Sequence, residues 1–253
     1  MPTGSTTFVT HTNSPLELID CSHMNNVQTA INYLESGWMA SADTWVYVSA
    51  ATFKITGQDR TLIYTKGTKL LCTNSSTKYF YVVSSAYAGG DTTVTIAIST
   101  DAGSILANAV ITSPYYSYAQ NPQGFPAAMS YTPTGISAAN ATLTGRFRLD
   151  GNRCTVDFLM VCSGAITYTT SPTLPITASA SYKQTTTANF AVSGVGAYWD
   201  NGTAYLIGGF NPCVVASATT FDCRKADGTI MSASVPITWA NLDQAVCHFE
   251  YEI

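Results

Sequence analysis

Residues Gly145–Gly164, GRFRLDGNRCTVDFLMVCSG, decide how the rest of the chain is read. Phe147 and Leu149 alternate with Arg146 and Arg148. Beyond them Cys154, Val156, Phe158, Met160 and Cys162 fall on one face, and Thr155, Asp157, Leu159 and Val161 on the other. Strict alternation is the pattern of half-buried strands. Between the runs stands Asp150-Gly151-Asn152, a turn sequence because Gly and Asn tolerate positive φ. The stretch predicts a β-hairpin. A hairpin alone is marginal in water, so further strands must cover its apolar face.

Toward the C-terminus, Ser171–Ala178 reads as an edge or turn. Strands are expected at Thr187–Val192, Gly196–Trp199, Thr203–Ile207, Cys213–Val215, Thr219–Cys223 and Gln244–Ile253. Residues 136–253 thus read as a head domain of jelly-roll or similar β-sandwich size. The pattern closes on Tyr251-Glu252-Ile253, which predicts a central, packed last strand.

Toward the N-terminus, residues 112–135 carry Pro114, Pro122, Pro126 and Pro133 among tyrosines. They predict a semi-rigid neck whose rings pack on a partner chain. Residues 38–111 read as a small β domain of short strands, barrel-like or a compact sandwich. Residues 1–37 read as a polar arm followed by an anchoring helix, Asp20–Ser36, capped by Asp20 or Ser22 and stopped by Gly37. Met24, Val27, Ile31 and Leu34 occupy a/d positions on it. Two heptads leave two readings open: a helix laid on the neighbouring β domain, or a seam between like helices around a symmetry axis. The expected fold is mainly β, with a short N-terminal helix, a small β-barrel-like domain and a C-terminal jelly-roll β-sandwich.

Charged residues make up 10% of the 253, far below the ~25% usual in soluble domains. Thr, Ser and Asn must solvate the surface, and such a surface tolerates close self-association. Eleven Lys and Arg against fifteen Asp and Glu argue against nucleic acid and against a polybasic membrane patch. No stretch is apolar for long enough to span a bilayer, and residues 1–10 lack the pattern of a signal peptide. Seven cysteines without a CxxC pair read as buried free thiols rather than a zinc ribbon.

The chain offers little chemistry. Neither a nucleophile elbow nor a P-loop is present, and the aspartates stand singly, mostly at turns. The reading is no enzyme, no cofactor and no metal. His11 and His23 have no convincing ligand partners. His248, Glu250 and Glu252 alternate on the last strand, either as a solvated face or as an axial cluster meeting its copies in an oligomer. Tyr198, Trp199, Asp200 and Asn201, and separately Trp239 and Asn241, read as loops able to stack on a sugar and hydrogen-bond its hydroxyls; the bland alternative makes the tryptophans core.

The run G-x-F-x-x-x-G-N-R-C-T-V-x-F from Gly145 to Phe158, with Leu174-Pro175-Ile176 and Phe249–Ile253, resembles the trimeric heads of bacteriophage tail-fibre and minor structural proteins. Those heads have a C1q/TNF-like jelly roll. Leu18–Trp38, Tyr64–Leu70, Lys78–Val83 and Ser113–Pro126 resemble phage fibre or collar proteins. The resemblance implies a homotrimeric virion protein assembled in the host cytoplasm. Its N-terminal region would attach to capsid, collar or tail, and its head would bind a host surface glycan or protein. A head-fibre, collar or decoration protein that stabilises the particle without receptor binding is the alternative. A glycan-degrading enzyme is a more distant one.

Overall fold

The computed structural model describes residues 21–101, 105–137, 139–181, 194–202, 206–214 and 218–253. The N-terminal arm with His11, and the strand expected at Thr187–Val192, lie outside them. The chain is mainly β, with one short helix and two antiparallel sheets.

Helix α1 spans Cys21–Ser36. It ends where Gly37 was expected to stop it, the Gly37 amide donating to the Tyr33 carbonyl at 2.7 Å. Among the described residues its apolar stripe joins no core. Met24 is half-buried, but Val27, Ile31 and Leu34 are 51%, 39% and 80% exposed, and none joins either core.

The first sheet contains β1 (Met39–Ala40), β2 (Val46–Ser49), β3 (Thr52–Thr56), β4 (Lys69–Asn74), β5 (Ser76–Ala88), β6 (Asp91–Ile96) and β7 (Thr112–Ser117), in the order β1-β7-β4-β5-β6-β3-β2. It curls. Strands β7 and β3 stand four places apart, about 19 Å in a flat sheet at ~4.8 Å per strand. Yet the buried ring of Tyr64 meets Tyr116 of β7 at 6.0 Å and Phe53 of β3 at 6.1 Å. The bend comes from β5, which pairs with β4 along Ser76–Tyr81 and with β6 beyond Val82, with a register shift between. The Tyr64 hydroxyl is satisfied at the centre of this half-barrel. It donates to Asp43 at 2.9 Å and accepts from the Trp45 indole at 3.0 Å. Arg60 closes the group with a 2.8 Å bond to Asp43.

The second sheet contains β8 (Met129–Tyr131), β9 (Ala141–Asp150), β10 (Arg153–Cys162), β11 (Gly194–Asp200), β12 (Leu206–Val214), β13 (Phe221–Arg224) and β14 (Gln244–Glu252), in the order β13-β12-β11-β14-β10-β9-β8. The expected hairpin is β9–β10, with Asp150 facing Arg153 across Gly151-Asn152. Gly151 has φ 58°, at the position where a type II′ turn asks for a positive value. The last strand is central, as its sequence predicted: β14 lies between β10 and β11. This sheet also folds over itself. Phe221 of β13 and Phe158 of β10 are four places apart, yet their rings meet at 5.4 Å, and Phe221 lies 4.6 Å from Phe249. The two inner faces enclose one core, consistent with a β-sandwich. The described cysteine thiols are free, and those of Cys223 and Cys247 touch at 3.3 Å inside that core.

Residues 112–135 do not form a free neck. Thr112–Ser117 enters the first sheet as β7 and Met129–Tyr131 the second as β8. The rings expected on a partner chain pack at home, Tyr116 against Tyr64 and Tyr118. The pieces expected at Thr203–Ile207 and Cys213–Val215 contribute to one strand, β12.

The two sheets share a junction. Tyr81 and Ala97 of the first half belong to the core of the second. Lys66 donates to the main-chain oxygen of Ile253. Gly67 faces Gly151 backbone to backbone, and a Cβ on Gly67 would sit 2.7 Å from Gly151 atoms. Gly67 also holds φ +83°, so Gly67→Ala meets both strain and collision. It is expected to lower stability by about 2 kcal/mol in chemical denaturation. Gly57→Ala, at a comparable φ but with nothing nearby, should cost less.

Candidate contact surface on the outer sheet face

The alternation that buries Cys154, Val156, Phe158 and Met160 places their neighbours on the outside. Strand register then assembles those neighbours into rows. One row runs Arg146, Asp157, His248, Val195 across β9, β10, β14 and β11. The next runs Thr144, Leu159, Val246, Ala197, and the next Thr142, Val161, Gln244, Trp199. Cross-strand rows are the unit in which a sheet presents side chains. The middle of this face is apolar and open: Val195 is 69% and Val246 43% exposed. Between them, with Leu159, lies a shallow apolar depression of about 510 Å³, bordered by Arg146, Asp157 and His248.

His248, Glu250 and Glu252 do share this face, but each is engaged within the chain. His248 Nδ1 lies 2.6 Å from Asp157. Glu250 accepts from Arg153 at 3.0 Å and Glu252 from the Asn152 side-chain Nδ2 at 2.9 Å. Both members of the His248–Asp157 pair are more than half exposed, so the contact contributes about 1 kcal/mol or less.

The two aromatic loop candidates are corrected in part. Tyr198 and Trp199 are strand residues of β11, on opposite faces. Tyr198 turns inward, its ring 5.1 Å from Phe210. Trp199 is on the outer face, half-buried, opposite Gln244. Asp200 ends the strand as a turn former, accepting the Gly202 amide at 2.8 Å. Trp239 is core: it is 1% exposed and its indole donates to the Ser232 carbonyl at 2.9 Å. Asn241 is exposed.

What the sequence reading missed is the group that joins these loops. Asp243 is wholly buried. One carboxylate oxygen accepts the Asn201 amide at 2.9 Å and the other the Ala240 amide at 2.6 Å. Its main-chain oxygen accepts the Cys162 amide at 2.8 Å. The Asn201 turn and the 240–242 loop therefore sit side by side at the end of the outer face, beside Trp199. An aspartate three residues after an alanine amide at a turn was the only signal, and it reads as ordinary turn chemistry.

This arrangement can make contacts. His248, Glu250, Glu252 and Asp243 are engaged in cross-strand pairs and turn bonds, and the apolar rows are open. Among the described residues no group of three His, Cys, Asp or Glu side chains is placed to hold a metal, and no helix is long and apolar enough to cross a membrane. No protein-family model, curated protein or solved structure matches this chain.

Proposed function

We propose that this chain is a non-enzymatic structural protein of the virion-fibre type: a homotrimer attached to the particle through its N-terminal region, its C-terminal sheet turned toward a host surface. The observation that carries the reading is the uncovered a/d stripe of α1, with Leu34 80% exposed. Apolar area of this kind on a charge-poor chain is completed by sister copies. The open rows around Val195 and Val246 offer a second surface for self-contact or for a host ligand. Three heads on one axis would supply avidity to weak single sites. The phage setting comes from the resemblance of the Gly145–Phe158 run and the N-terminal segments.

Light scattering on the purified chain tests the assembly. The expected mass is three times the 26.9 kDa of one chain. The double variant Ile31→Ser, Leu34→Ser should fall toward that single-chain mass with its β-sheet circular dichroism intact. A wild-type mass of one chain overturns the reading. Antibody labelling of purified particles tests the location: label on the virion supports it, and label confined to the cell lysate does not.

A further inference from the structure

Between the two sheets lies a cleft of about 440 Å³, within the size range of small-molecule sites and at the kind of boundary they favour. Lys69 of β4 forms part of its wall. This lysine is only 9% exposed. Among the described residues its ammonium makes no hydrogen bond and no ion pair. It stands instead 5.6 Å from the ring centre of Tyr81 and 5.7 Å from that of Phe125. Burial draws its pKa down, against the pull of Asp150. A mostly buried cation beside two ring faces, drawn by Asp150 but hydrogen-bonded to no described residue, has room for one direct contact, and the cleft is where it can make it.

The remaining walls say what fits. Tyr81 is buried, its ring held 4.9 Å from Phe125 and 6.5 Å from Phe147 of β9. Arg148 and Arg153 add two cations; Asp150 and Glu250 add two anions, Glu250 being paired with Arg153. With Lys69 the sum is three positive against two negative, a surplus suited to a monoanion rather than to a doubly charged phosphate. Gln120 and Asn121 are exposed at the rim, their amides unbonded among the described residues. Phe125 and Pro126 give a half-buried apolar wall. A carboxylate for the cations, hydroxyls for the amides and a ring face for the apolar wall describe an acidic sugar.

We infer that the inter-sheet cleft is a binding site for a carboxylate-bearing saccharide, with Lys69 and Arg148 as its carboxylate contacts. The cleft is complete within one chain, so the inference does not depend on trimerisation or on the virion reading.

The test is titration of the full chain, followed by NMR or calorimetry, with glucuronate, N-acetylneuraminate, glucose and inorganic phosphate. One or both acids should bind, and which does so identifies the class of acid. Glucose and phosphate should bind at least about tenfold more weakly, as loss of one charged contact implies. Lys69→Met should abolish the preference for the acids without lowering the melting temperature, because it replaces a desolvated charge with an apolar chain. Arg148→Gln, at an exposed position, should weaken the acids and leave glucose unchanged. Binding of neither acid, equal binding of glucuronate and glucose, tighter binding of phosphate, or an unchanged preference in Lys69→Met each overturns the assignment.

Discussion

Asp243→Ala lowers the free energy of unfolding by roughly 3–5 kcal/mol, because the two amides it serves each lose an acceptor at a cost of about 1–3 kcal/mol. The Asn201 and Ala240 amides donate to it at 2.9 and 2.6 Å, and among the described residues neither has a second acceptor. The cavity left by the carboxylate adds to the loss. Urea unfolding followed by tryptophan fluorescence measures it. Asp243→Asn keeps one oxygen acceptor for one of the two amides and should lose about half as much. A drop below about 1 kcal/mol for the alanine variant, the size of one ordinary hydrogen bond, would mean that the loops hold together without this carboxylate.

Phe221→Ala is the second large effect, expected at about 3–5 kcal/mol. The side chain is 1% exposed and lies between Phe158 and Phe249. It is where β13 returns onto β10, so its removal opens the layer that makes a sandwich out of one sheet. The same unfolding experiment measures it, with Val195→Ala on the open face as control. The control should change stability by about 0.5 kcal/mol or less, the range of ordinary surface substitutions. Comparable losses in both variants would show that the sheet is not closed at Phe221.

Local signals read correctly where local physics decides. Alternation and a Gly-Asn turn gave the β9–β10 hairpin its pairing and its turn, since a one-residue slip would expose Val156 and Phe158, although β9 starts at Ala141, before the stretch that was read. The strand pattern closing on Tyr251-Glu252-Ile253 predicted a central strand, and β14 does pair on both sides. Helix α1 followed from its stop at Gly37. Reading failed where distant segments decide. Gly208, Gly209 and Pro212 look like breaks, but pairing on both sides holds β12 as one strand. The prolines of 112–135 suggested a neck, while Pro114 sits inside β7. Trp239 could not be told from a surface ring, because its burial depends on the fold-over of the sheet. Nothing near Lys69 in sequence announces that Phe125, 56 residues away by number, will cover it.

The placement of β14 bears on how the chain is made. It is translated after every other strand of its sheet, yet it is the one that β10 and β11 both pair with. Until residues 244–252 leave the ribosome, the facing edges of β10 and β11 have no partner between them, while residues 39–117 can already pair every strand of the first sheet. Synthesis therefore divides the molecule into a half whose strands can pair early and one that completes only with its last strand.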